Sequence, residues 1–518
     1  MAEGTYDLDS YTWIVVLGGI LSVCAAFGIG ANDVANAYAT SVGSGALSIK
    51  SAVILAGIFE FLGATFLGSH VSDTIRKKIA DYDCFDSSPD LLMYGCMCVI
   101  FVVALWLLVA SALELPVSTT HSAVGGMIGM TMVAKGAGCV VWEEEADDFP
   151  FVKGVSAIVI SWVLSPVFSG VFAAAIFFLT RTFVLRAENS YNRAFNVYFI
   201  FIAGAIIINT FFIIYKGAKG LGLNDTSMET SVAISFGLGF GVALIAQFAV
   251  VPKLRRAIDE GREISIWKKA DGKEVVLDVE QLQSDTNEDG TKKTLFKRMS
   301  DHVTYSLNAD SKKIIEEDET VGAIHENAEV FDEKTEKVFQ YLQVLTAICD
   351  SFAHGANDVA NAIGPYAAIY IIWKSGKVEK KADMGADAYW ILALGGLGIV
   401  LGLALYGYKI LHALGTKIAK LSPSRGYSIE LGAALVIIIG SRQGWPLSTT
   451  HCQVGATSAV AWMEGSKGVN YKLLGKVVLG WILTLVIVGS GVALVFASGV
   501  YAPTVQKPLE LIVADAGR

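Results

Sequence analysis

An eight-residue phrase, Gly-Ala-Asn-Asp-Val-Ala-Asn-Ala, occurs twice, at Gly30 to Ala37 and letter for letter at Gly355 to Ala362. Chance does not repeat eight residues in a chain of this length. Each copy interrupts an apolar run (from Tyr11 to Phe27, and from Tyr341 to Phe352) and so places a carboxylate, Asp33 or Asp358, where lipid should be. A charge at membrane depth costs roughly 2.5 kcal/mol or more on insertion scales and is normally retained for an ion or substrate path. On a helix, Asn32 and Asn36 are four apart and Asp33 and Asn36 three apart, and Asn357, Asp358 and Asn361 repeat that spacing. Two amide oxygens and a carboxylate then share one face. Such a set is an oxygen cage for a hard cation such as sodium. The competing reading is a polar helix-helix contact, but it leaves each aspartate without a partner, because no intramembrane Arg or Lys is evident nearby.

A second pattern is also duplicated. Ser118-Thr119-Thr120-His121 follows Pro116-Val117, and Ser448-Thr449-Thr450-His451 follows Pro446-Leu447, each before a short apolar run. Proline ends the preceding helix and Ser or Thr caps the next, so each stretch opens a helix. Free backbone N–H groups, the positive end of the helix dipole and the hydroxyls then suit an oxyanion, with no fixed positive charge required. N-capping alone would account for one such stretch; two, each paired with an Asn-Asp cluster, favour an anion site. His121 and His451 have the chemistry of proton relays, but a helix-start histidine more often bonds nearby backbone. Glu60 and Glu430 lie in glycine-rich apolar runs and are either hydrogen-bonded structural groups or coupling groups; by alignment Glu60 matches Ile399, so they are not repeat-equivalents.

The elements that hold these residues belong to a membrane protein. The chain of 518 residues is 53% hydrophobic and 17% charged, with 52 glycines and a mean hydropathy of +0.52, which excludes an ordinary soluble enzyme. A net charge of −9 excludes nucleic acid as a partner. Seven apolar segments precede residue 252, near 12–29, 51–69, 91–112, 122–134, 154–180, 196–215 and 229–251; six follow, near 339–354, 363–373, 389–411, 427–441, 452–463 and 473–500. The run 122–134 is too short to span a bilayer, so a broken helical pair meeting inside the membrane is expected. The first run follows an acidic N-terminus without a basic n-region and reads as a retained span. Residues 252–338 hold 15 basic and 21 acidic residues and no apolar span, a water-exposed loop. The chain thus divides into a first transmembrane half (1–251), a charged loop (252–338) and a second half (339–518).

Asn32 lies 86 positions before Ser118 and Asn357 lies 91 before Ser448, the spacing of an internal duplication. With seven segments before the loop the halves enter from opposite sides, as an inverted repeat. Arg181, Arg186, Arg193, Lys253, Arg255, Arg256, Lys417, Lys420 and Arg425 then share one side, the cytosol. Both termini lie outside, as does the sequon Asn224-Asp225-Thr226. Arg76-Lys77-Lys78 dissents, offset by Asp73, Asp81, Asp83 and Asp86. Of the seven cysteines, Cys24, Cys96, Cys98, Cys349 and Cys452 lie in or beside apolar runs, whereas Cys84 and Cys139 fall in loops and could be bridged if both face an oxidising side.

The doubled octapeptide, each copy followed by Pro-[Val/Leu]-Ser-Thr-Thr-His, resembles the inorganic phosphate transporter (PiT) family, and Ser424-Arg-Gly-Tyr-Ser-Ile-Glu430-Leu-Gly resembles its eukaryotic sodium-phosphate symporters. The resemblance covers both halves but not the loop. It implies symport of sodium and inorganic phosphate, with Asp33, Asn36, Asp358 and Asn361 near the cations and the Ser-Thr-Thr stretches near phosphate. It also implies extracellular termini and a cytosolic loop. The expectation is an all-α polytopic plasma-membrane transporter, an inverted internal repeat with broken helices and re-entrant helical hairpins meeting at the midplane. Its partners are phosphate, sodium and the lipid bilayer; a homodimer is left open, and no cofactor is expected beyond the transported ions. A proton- or metal-coupled carrier, a sulfate carrier and an anion channel are the rivals; an enzyme lacks a nucleophile-base pair or metal cluster.

Overall fold

The computed structural model describes residues 6–147, 150–215, 226–262, 319–379 and 389–502, with a few positions between these stretches. Asn224 and most of the 252–338 stretch lie outside the described residues. In the first half the helices are α1 (Thr12–Asn32), α2 (Ala35–Gly43), α3 (Ile49–Leu67), α4 (Ser69–Lys77), α5 (Pro89–Ala112), α6 (Thr119–Lys135), α7 (Val155–Thr180), α8 (Ser190–Ile214) and α9 (Met228–Ile245). Next come α10 (Val251–Asp259), α11 (Glu319–Asn327), α12 (Glu333–Ser375), α13 (Tyr389–Tyr406), α14 (Tyr408–Lys417), α15 (Pro423–Gln443), α16 (Thr449–Trp462) and α17 (Tyr471–Val500). A small antiparallel ribbon pairs β1 (Glu144–Glu145) with β2 (Val152–Lys153).

Among the described residues, eight helical stretches are long and apolar enough to cross a membrane. Side chains such as Val163, Phe168, Phe172, Leu479, Ile482 and Val486 are exposed along α7 and α17. So much apolar surface suits lipid rather than water.

The two octapeptides adopt different backbones. In the first copy helix ends at Asn32 and restarts at Ala35, and the turn between is tightened by Asn36 N–H donating to the Asp33 carbonyl at 2.8 Å. The second copy lies inside α12, one helix of 43 residues. The segments expected at 339–354 and 363–373 are therefore a single element. At 1.5 Å per residue it is far longer than the ~30 Å hydrocarbon core. The eight residues are identical, so what decides between helix and break lies outside them, in the flanking sequence and the packing.

The two breaks that lead into the Ser-Thr-Thr stretches fall at prolines. Between α5 and α6 the chain runs irregularly through Leu113–Ser118, with Glu114 at φ 56°, and between α15 and α16 it passes Gly444, at φ 68°, and Pro446. Ser118 and Ser448 then cap the new helices, each Oγ accepting the backbone N–H three residues on (His121, His451) at 3.3 Å.

Packing interlocks the halves. α1 lies against α13 and α12 against α3, while α6 packs on α17 and α16 on α7. A Cβ at Gly30 would fall 1.8 Å from the Ile399 carbonyl oxygen, and one at Gly355 would fall 2.2 Å from that of Glu60. Only glycine permits such close crossings. They also place Ile399 and Glu60, the aligned pair, at corresponding points of two contacts.

Cys84 and Cys139 form a disulfide across a separation of 55 residues. Closing a loop of that size is worth about 4 kcal/mol in a chain-entropy account. Cys84→Ser is expected to lower the thermal midpoint of the detergent-solubilised protein, and reductant to mimic it. An unchanged midpoint would show that the bridge does not stabilise the fold.

Candidate functional site

Both octapeptides and both Ser-Thr-Thr stretches converge on one buried centre. Asp33, His354 and Asp358 each bring a ligand atom within 4.8 Å of the others. Thr119 Oγ1 donates to Asp33 Oδ2 at 2.6 Å, and Thr449 Oγ1 donates to Asp358 Oδ2 at 2.6 Å. Across the halves, Thr450 Oγ1 donates to Asp33 Oδ1, and Asn36 Nδ2 donates to Thr450 Oγ1 at 3.1 Å. Asn361 Nδ2 reaches Asp358 Oδ1 at 3.0 Å, Thr119 Oγ1 at 3.0 Å and Thr120 Oγ1 at 3.3 Å. Thr120 Oγ1 itself donates to the Leu447 carbonyl at 2.7 Å.

The amide oxygens are left over. Asn36 Oδ1 and Asn361 Oδ1 are buried and accept no hydrogen bond. An orphaned buried acceptor is costly, and two of them beside two carboxylates fit a hard cation.

Asn32 and Asn357 sit elsewhere. Asn32 Nδ2 donates to Ser111 Oγ at 3.1 Å and to the Leu115 carbonyl at 2.9 Å, and its Oδ1 accepts Val117 N–H at 3.0 Å. Asn357 Nδ2 donates to Ser441 Oγ at 3.0 Å and the Trp445 carbonyl at 3.3 Å. These two therefore clasp the breaks that lead into Ser118 and Ser448. The single helix face expected to carry both asparagines and the aspartate is divided by the turn at Asp33 in the first copy; in the second it is kept along the unbroken α12, but Asn357 and Asn361 take different partners on it.

The carboxylates do have a partner, one that the sequence reading passed over. His354 Nδ1 lies 2.9 Å from Glu60 Oε2 and its Nε2 lies 2.9 Å from Asp358 Oδ2, while Ser351 Oγ donates to Glu60 Oε1 at 3.1 Å. Its position four residues before Asp358 is the signal that could have found it. Glu430, the second embedded glutamate, is ringed by donors: Thr40 and Ser41 hydroxyls at 2.6 Å, Gln343 Nε2 at 3.0 Å and Thr346 Oγ1 at 2.7 Å. It ties α2 to α12 and α15. Ser111 and Ser441 were also missed, although each stands seven positions before its Ser-Thr-Thr stretch.

His121 and His451 bond distant rather than nearby backbone, through Nδ1 to the Trp481 carbonyl at 3.1 Å and the Trp162 carbonyl at 2.9 Å. Their rings meet edge-on with centroids 4.7 Å apart.

Apolar helices around a buried centre of carboxylates, amides and hydroxyls, assembled from both halves of the chain, define a polytopic membrane transporter. The chain belongs to the phosphate transporter family, whose profile matches residues 29–491. It is similar to sodium-dependent phosphate transporter 1 of Homo sapiens, 30% identical over 93% of this chain and 95% of that one. The phosphate-repressible phosphate permease pho-4 of Neurospora crassa is 32% identical, over 93% and 96%. A solved sodium-dependent phosphate transporter superimposes with a TM-score of 0.70 at 32% identity, covering 93% of this chain and 98% of that one.

Proposed function

We propose that the chain imports inorganic phosphate across the plasma membrane by symport with sodium. The observation that carries this reading is the pair of orphaned amide oxygens, Asn36 Oδ1 and Asn361 Oδ1, on the residues that bond the threonines. A cation held by Asp33, Asn36, Asp358 and Asn361 leaves the Thr119, Thr120, Thr449 and Thr450 hydroxyls free to turn toward an oxyanion. Ser118 and Ser448 supply the helix starts, and Asn32 and Asn357 act as clasps. Cation and anion then need one another, because bound sodium offsets charge that would repel phosphate. Radiolabelled phosphate uptake into proteoliposomes, with and without a sodium gradient, tests the reading. Uptake driven by a proton gradient alone, or equal uptake of sulfate, would favour the rival carriers.

The two halves, 1–251 and 339–518, are proposed to be inverted repeats with re-entrant pairs at α5–α6 and α15–α16 and a cytosolic loop between them. Both termini then face outside. In support, the Cys84–Cys139 bridge lies on the side assigned to the oxidising exterior, and Arg181 and Arg186 gather on Glu329 at 2.9 and 2.8 Å on the other. Those arginines, Arg186 foremost, hold the Glu329 carboxyl below its usual range.

Glu60 and Glu430 take a supporting part in sodium coupling. Glu60→Gln and Glu430→Gln are expected to slow phosphate uptake while its loss on exchange of sodium for choline persists. Uptake by the parent under a pH gradient alone, abolished in either variant, would assign them a proton instead.

A further inference from the structure

The basic stretch Arg76-Lys77-Lys78 has no part in the transport site. Arg76 is buried and bonds Asp73 at 2.8 Å, and Lys77 lies 3.6 Å from the same carboxylate. Lys78 makes no such close pair among the described residues. It lines a cavity of about 440 Å³ together with Lys153 of β2, and the described residues lining that cavity include these two lysines and no carboxylate. Lost hydration, and then the Lys153 charge, pull the Lys78 ammonium below the usual lysine range. Asp73 partly offsets Lys78 and Glu144 stands opposite Lys153 in the ribbon, but the two ammonium groups are the charges that line the hollow among the described residues, so an anion placed there is favoured.

The rest of the lining is largely apolar. Leu164, Phe168 and Phe172 of α7 face Val436 and Ile439 of α15, and Phe168 and Phe172 are 41% and 40% exposed along the surface suited to lipid. A small hydrated anion gains nothing from such walls, whereas an amphiphile satisfies both ends. We propose that the cavity binds an anionic phospholipid, with its headgroup phosphate between Lys78 and Lys153 and an acyl chain along the groove between α7 and α15. Gly444, Trp445, Pro446 and Leu447 also line the cavity. Thr120 bonds the Leu447 carbonyl, so a lipid seated there would steady the segment that leads into Ser448.

The test uses the full chain in detergent, titrated separately with phosphatidylglycerol and phosphatidylcholine, with bound lipid counted by native mass spectrometry. A juxtamembrane lysine is worth about fivefold in binding an anionic lipid. The double variant Lys78→Gln/Lys153→Gln is therefore expected to lose roughly twentyfold for phosphatidylglycerol and little for phosphatidylcholine, and Lys153→Arg to retain the parent preference. Leu164→Trp, which fills the groove, is expected to weaken both lipids. Undiminished phosphatidylglycerol binding in the double variant would overturn the proposal. So would displacement of phosphatidylglycerol by millimolar inorganic phosphate, which would make the cavity a vestibule for the free anion.

Discussion

Asp33→Asn and Asp358→Asn are each expected to abolish sodium-driven phosphate uptake while the protein still folds and reaches the membrane. The substitution preserves size but removes the charge that offsets a cation, and it also reverses a donor-acceptor pattern. Asp33 accepts hydroxyls on both oxygens, from Thr119 and Thr450; asparagine keeps one acceptor oxygen and puts an NH₂ in place of the other, so one of the two hydroxyls loses its acceptor. Hydrogen bonds to charged groups are worth about 1.5–3 kcal/mol each, so losing one lowers transport by roughly one to two orders of magnitude, on top of the loss of the charge that holds the cation. At Asp358 the ion-pair geometry with His354 is lost as well. Initial uptake rates, read beside surface expression, check this. If both single variants keep sodium-driven uptake at the parent rate, the carboxylates do not hold the driving ion.

The second large effect separates Thr120 from Thr450, the matching threonine of the second Ser-Thr-Thr stretch. Thr120→Ala removes a hydroxyl that donates to the Leu447 carbonyl and accepts from Asn361 Nδ2 at 3.3 Å but touches no carboxylate, so apparent phosphate affinity is expected to fall roughly ten- to hundredfold with a smaller change in sodium affinity. Thr450→Ala removes a hydroxyl bound to Asp33 and Asn36, so phosphate and sodium affinities should fall together. Parent phosphate affinity in both variants would reduce these hydroxyls to helix-start caps.

Much of the centre was legible because it was written twice. The repeated octapeptide and the repeated Ser-Thr-Thr marked Asp33, Asn36, Thr119, Thr120 and their counterparts, and in the structure these residues meet. What the repeat could not convey is what differs between its copies. His354 has no counterpart, since Ile29 stands at the matching position before the first octapeptide, and the continuous α12 against the turn at Asp33 is decided outside the eight shared residues. The Glu430 ring escaped for another reason. Thr40, Ser41, Gln343 and Thr346 are ordinary residues in apolar surroundings, and only the close crossing of α2, α12 and α15 turns them into one set of donors. Periodicity signals a face, not what lies across from it. Asn32 shows the converse error: spacing grouped it with Asn36, whereas its side chain is spent on the chain break at Leu115 and Val117.

The most direct test of a single centre that couples cation and anion is reverse coupling. Proteoliposomes carrying the protein, with radiolabelled sodium at equal concentration on both sides, are given an inward phosphate gradient. Coupling is reciprocal, so sodium is expected to accumulate inside against its own gradient in the parent and to stay at equilibrium in Asp33→Asn and Asp358→Asn. Phosphate entry with no accompanying sodium accumulation in the parent would contradict a shared, sodium-coupled centre.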